Sequence, residues 1–143
     1  MMRACSIALA CLLLAACEPP LPKDYNGWWS GQSDTGNAIT FQIHDGVVQD
    51  LRIGLGNTPC GGSLTWSGKT RVRKQQLNID AGENKQLEGA KSLVMTGAFH
   101  SDHDVTGTVS AVAFGGVTNP LCSGMVEGKW TAARDAWRAA QPR

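Results

Sequence analysis

The chain has 143 residues, with 13 Lys and Arg against 12 Asp and Glu, a formal net charge of +1. That balance argues against a nucleic-acid partner, which needs a strongly positive surface to release counterions from phosphates. It also argues against adhesion to a membrane through a polybasic face, and the length suits one domain with a modest core.

In chain order, a single positive charge, Arg3, precedes an apolar run from Ile7 to Ala16. A basic start, a short apolar stretch and small residues at a cleavage point are the three parts of a secretory signal. The run is too short for a membrane-spanning helix, which takes about 20 apolar residues. Leu14-Ala15-Ala16-Cys17 closes it, and this stretch resembles the lipobox of bacterial lipoproteins. The resemblance implies cleavage before Cys17, diacylglyceryl transfer to its thiol and acylation of the new amino end. It therefore implies a protein of the bacterial envelope held to the membrane by acyl chains. Glu18, not aspartate, follows the cysteine, which points to the outer membrane with the domain facing the periplasm. The expected organisation is a signal peptide over 1–16, a lipidated proline-rich tether over 17–26 and a β-domain over 27–143.

With the signal removed and Cys17 taken by lipid, Cys60 and Cys122 remain, an even pair in an exported chain. A disulfide between them is the simplest account of two such thiols in an oxidising compartment. The tether, Glu-Pro-Pro-Leu-Pro-Lys-Asp-Tyr-Asn, has three prolines in five positions. It forbids a helix and favours extended geometry, holding the domain off the bilayer.

The domain opens at Gly27-Trp28-Trp29-Ser30-Gly31. Adjacent tryptophans on a strand face opposite sides, so one belongs to the core and the other to the surface. Ile39, Phe41 and Ile43 then alternate with polar residues, Asp45-Gly46 follows, and Val47, Leu51, Ile53 and Leu55 are expected on one face against Val48, Asp50 and Arg52. Alternating runs split by Asp-Gly predict a hairpin, with strands at 38–44 and 47–55. A turn-rich loop over 54–62 leads to a short strand at Leu64 and Trp66. Leu77 and Ile79 mark another strand, and the polar residues 81–91 are expected to be a loop. A second hairpin joins Leu93–Phe99 to Val105–Phe114, in which Val105, Val109, Ala111 and Ala113 share a face that Gly107 interrupts. A bulge or a close backbone approach is expected there. A last strand, Met125 to Trp130, is expected to pass into a short helix capped by Thr131, with Ala133 and Trp137 on its inner face. The fold class is all-β, a small antiparallel barrel or sandwich with a short C-terminal helix.

Pro59-Cys60-Gly61 before Trp66 parallels Pro120-Leu121-Cys122-Ser123-Gly124 before Trp130. If the two halves pack on each other, the matching cysteines meet. Gly97-Ala98-Phe99, Gly107-Thr108-Val109 and Cys122…Trp130-Thr131-Ala132 resemble a small β-domain found in uncharacterised secreted bacterial proteins, a resemblance of structure that carries no function. Gly27-x-Trp29 on a first strand, with Arg134 near the end as a stacking cation, is similar to lipocalins and implies a small barrel carrying an apolar ligand.

The titratable residues form no catalytic set. There is no Gly-x-Ser-x-Gly elbow, no dinucleotide-binding glycine pattern and no acid/base carboxylate pair. His100-Ser101-Asp102-His103-Asp104 places two imidazoles and two carboxylates in five residues, so His100 and His103 are the weak metal candidates. Their position at a hairpin tip explains Ser and Asp by turn chemistry alone. Lys69, Arg71 and Arg73 project from one strand face and suit an anionic partner or the protection of a sheet edge. The expected role is non-enzymatic and needs no cofactor. It is binding through Trp28, Trp29, Lys69, Arg71 or Arg73 to an envelope protein, as an inhibitor or immunity-type partner of an envelope hydrolase.

Overall fold

The computed structural model describes residues 24–82, 86–114 and 122–135. Among the described residues ten strands form one sheet: β1 (Gly27–Ser33), β2 (Ala38–His44), β3 (Val47–Gly54), β4 (Ser63–Trp66), β5 (Thr70–Arg71), β6 (Gln76–Ala81), β7 (Leu87–Glu88), β8 (Ala90–Phe99), β9 (Asp104–Phe114) and β10 (Ser123–Arg134). The strand order is β6-β8-β9-β10-β1-β2-β3-β4-β7, with β5 beside β3, and every named pairing is antiparallel. The sheet curls into a nearly closed barrel. Its seam is drawn together where Thr70 Oγ1 donates to the Asn78 carbonyl, just above the tight β5–β6 turn.

The alternation that defines the strands also sets the inside of the barrel. Ile39, Phe41 and Ile43 are buried on β2, Leu77, Ile79 and Ala81 on β6, and Val105, Val109, Ala111 and Ala113 on β9. The expected Asp45-Gly46 hairpin is present, with φ values of 50° and 73°. Two positive φ angles give the turn whose twist matches that of the flanking strands. Lys74 and Gln75, at 49° and 62°, make the same kind of turn between β5 and β6 without a glycine.

Three expectations are corrected. Val48, expected outside, is fully buried, while Val47 is only half-buried. The register of β2 and β3 shifts between Thr40 and Gln42, and Asp50 opposite has φ 53°. This is a β-bulge, and its extra residue reverses the parity of the strand on either side. Residues 81–91 are not simply a loop, since Ala81 ends β6, Leu87–Glu88 pair with β4 and β8 starts at Ala90. The helix expected from Thr131 is strand through Arg134, because Thr131 to Ala133 pair with β9 on one side and β1 on the other. Trp137 lies outside the described residues.

Close approach explains Gly107. It faces Gly97 on β8 and Trp130 on β10, and a Cβ there would stand 1.7 Å from the Thr96 carbonyl oxygen. The Trp130 indole lies across this glycine pair, its Nε1 donating to the carbonyls of Thr96 (2.9 Å) and Thr108 (3.2 Å).

The two ends of the barrel are built differently. One gathers Asp24–Asn26, the Asp45-Gly46 and Lys74-Gln75 turns, the 100–103 turn and Arg134. At the other, the Cys60–Cys122 disulfide, with a Cα–Cα distance of 5.1 Å, ties the β3–β4 loop to the start of β10. In the chain-entropy account a cross-link spanning 62 residues stabilises by about 4 kcal/mol. Thermal melting with and without reductant should show a large drop in Tm on reduction, matched by the Cys60→Ala/Cys122→Ala chain. Gly107→Ala should cost at least about 2 kcal/mol in denaturant unfolding, since the strands must part. Gly56→Ala, with nothing within 4 Å of the added carbon, should change stability by less than about 0.5 kcal/mol.

Candidate functional site

The tryptophan pair divides as alternation requires. Trp29 is completely buried, and its Nε1 donates to the Tyr25 carbonyl at 2.9 Å. Trp28 turns to the opposite face, where it is half-buried and lines a groove of about 510 Å³ with Ser30, Thr40, Asp50, Arg52 and Asp135.

The register assembles this groove from four segments. Ser30 lies beside Thr40, and Thr40 beside Arg52, so β1, β2 and β3 each present an outward polar residue in one row. Asp50 joins them through the bulge. Asp135 is placed by its backbone N–H, which donates to the Trp28 carbonyl at 2.7 Å. At the border of the row, Gln49 Nε2 donates to Gln42 Oε1 at 3.1 Å.

Lys69, Arg71 and Arg73 are exposed, alternating with half-buried Thr70 and Val72. Arg71 Nη1 donates to the Asp45 carbonyl, and none of the three cations lines the groove. Arg71 ends β5, a two-residue strand off the main path of the sheet, and Lys69 and Arg73 flank it, so that charge blunts an edge against pairing.

The two histidines of the β8–β9 turn are drawn to different neighbours. His100 Nε2 lies 2.6 Å from Thr106 Oγ1, and His103 Nε2 lies 3.3 Å from Asp102 Oδ1. Asp104 accepts from Ser101 Oγ at 3.1 Å. Among the described residues no three His, Cys, Asp or Glu side chains are grouped to hold a metal ion.

Beside this turn the barrel end is stoppered by Tyr25, which is 7% exposed, its ring 4.4 Å from that of Phe99. Arg134, paired in register with Trp29, donates from Nη1 to the carbonyls of Asp24 and Asn26 and reaches Asp102 at 3.6 Å. It thus clamps the entering chain at the barrel end. Cys17 lies outside the described residues.

Of the sequence candidates, only Trp28 falls in the groove. Ser30, Thr40, Asp50, Arg52 and Asp135 were not singled out. For Asp50 the sequence held one signal: Val47 and Val48 are adjacent apolar residues ahead of Leu51 and Ile53, so one of them breaks the alternation, as an inserted residue on that strand requires. Comparison with protein-family models, curated proteins and solved structures finds no match for this chain.

The Tyr25 hydroxyl is buried without a hydrogen-bond partner among the described residues. Burial, and secondly the Asp102 charge, push its pKa above the ordinary 10.0. The unfolded chain therefore loses this proton first, so the stability it contributes is intact below about pH 10 and is lost as pH rises through the folded value. Tyr25→Phe removes the unpaired hydroxyl and should hold or raise stability by about 1 kcal/mol near neutrality. It should also flatten the alkaline end of the stability profile followed by denaturant unfolding.

Proposed function

We propose that this chain is a lipid-anchored protein of the bacterial envelope whose β-barrel binds a partner through its outer wall and performs no chemistry on it. The observation that carries the reading is the contrast between inside and outside. The rings of Tyr25, Phe99, Trp29, Phe41 and Trp130 follow one another with centroids 4.4–6.0 Å apart, filling the interior between them. A carrier of an apolar ligand in the manner of lipocalins needs that space. The described groove, by contrast, is on the outer face and is lined by Trp28 and by charged and hydroxyl side chains.

Leu14-Ala15-Ala16-Cys17 supports the anchor. The proline-rich residues that follow it lead to Asp24, at the end of the barrel where the chain enters. The outer membrane, with the domain in the periplasm, remains the expected location, and an inhibitory or immunity-type role is one use of such a surface.

Cys17→Ser should abolish fatty-acid labelling and membrane retention in a bacterial host; retention of both removes the anchor. A photo-crosslinking residue at Ser30 should form adducts in intact envelopes, and the same residue at His103 should not. Adducts from position 103 alone would move the working surface to the hairpin tip.

A further inference from the structure

We infer that the groove over β1, β2 and β3 binds an uncharged glycan, an inference that rests on the reading of this face as the working surface. The lining selects the ligand by elimination. An apolar molecule would cut Ser30, Thr40, Asp50 and Arg52 off from water without replacing the hydrogen bonds lost, which is unfavourable for each. Asp50 and Arg52 line the groove with opposite charges, so a phosphate or other anion that approaches Arg52 meets Asp50 as a like charge. An organic cation would pack on Trp28, but it meets Arg52 as a like charge on the same wall, so neither sign of charge gains there.

A sugar ring suits the lining that the described residues provide. Its C–H face is apolar and packs on an indole. Each of its hydroxyls both donates and accepts, so the Asp50 carboxylate that only accepts, the Arg52 guanidinium that only donates and the Ser30 and Thr40 hydroxyls that do both all find partners. The volume of about 510 Å³ falls within the range of about 300–1,000 Å³ usual for small-molecule sites.

The backbone of Asp50 adds an independent argument. Its φ of 53° lies in the left-handed region, which glycine occupies at less cost than any side chain. A glycine would make the same bulge and leave Val48 equally buried. The carboxylate therefore contributes nothing to the core that its replacement would lose, and it stands in the groove. Strained residues of this kind concentrate at binding sites.

The glycan has two chemical sources, plain hexose chains and N-acetylated amino-sugar chains, and both share the uncharged pyranose. Titration calorimetry of the purified full-length chain with a glucose trimer and with an N-acetylglucosamine trimer distinguishes them. At least one should bind, Trp28→Ala should weaken binding about tenfold or more, and Arg52→Ala should also weaken it. Asp50→Gly should weaken binding while leaving Tm equal or higher, and Lys69→Ala should leave binding unchanged. Binding of neither trimer, or binding indifferent to Trp28→Ala, Arg52→Ala and Asp50→Gly alike, overturns the inference. Adducts from Ser30 that proteases destroy and neither trimer competes away would make the groove a protein-docking face. That result overturns the glycan while the surface reading stands; adducts confined to His103 overturn both.

Discussion

An unbroken file of five aromatic rings runs through the barrel, and the arrangement of the strands depends on it. Phe99 packs edge-on against Trp29 at 5.1 Å, Trp29 stacks with Phe41 at 6.0 Å, and Phe41 meets Trp130 edge-on at 6.0 Å. Such pairs contribute about 0.5–1.5 kcal/mol each beyond the area they bury. Each ring comes from a different strand or segment, so the file fixes β8, β1, β2 and β10 relative to one another. The Trp130 end is the most demanding. Its indole reaches two main-chain carbonyls only because Gly97 and Gly107 leave the floor beneath it bare, and a Cβ at Gly97 would lie 2.9 Å from the ring.

The two ends of the barrel are closed by different means, and the difference follows from what each end has to hold. Where the chain enters, Tyr25 supplies the last ring of the file and Arg134 binds the carbonyls on either side of it. Noncovalent closure suffices because two of the turns there are tight, of two residues each at 45–46 and 74–75, and the longer 100–103 turn is tied to Arg134 through Asp102. At the opposite end the β3–β4 connection runs through Gly56, Gly61 and Gly62 and has little apolar material of its own to pack. The disulfide does there what the aromatic file does at the other end. It fixes a loop whose freedom would otherwise oppose folding.

Much of this was legible in the chain. Period-two alternation located β2, β3, β6, β8 and β9 because one face of each lies against a common interior. Asp45-Gly46 announced its hairpin because few other pairs accept two positive φ angles. The division of Trp28 from Trp29 followed from strand geometry alone, and the cysteine pairing from the count of thiols left over. What escaped was set by tertiary context. Thr131-Ala132-Ala133-Arg134 has good helix formers, yet β10 lies between β1 and β9, and two rows of ladder hydrogen bonds outweigh propensity. The strand β7, two residues long, has no period to detect. Lys74-Gln75 carries no turn signal, and its conformation is imposed by the hairpin that it closes.

Asp50 was the most consequential omission, and it shows why the groove was harder to read than the core. A polar residue on a strand is read as facing outward whether or not it is inserted, so Asp50 fitted the alternation by character while breaking it by count. The break reverses parity across β3. Before it, Val48 must point inward; after it, Leu51 and Ile53 must. The same insertion aligns Arg52 with Thr40, and hence with Ser30 in the row that Trp28 borders. One residue thus couples the interior to the outer wall. Core alternation is written along a single strand and can be read there. The groove is written across β1, β2, β3 and the segment after β10, and its members become neighbours only once the bulge has set the register.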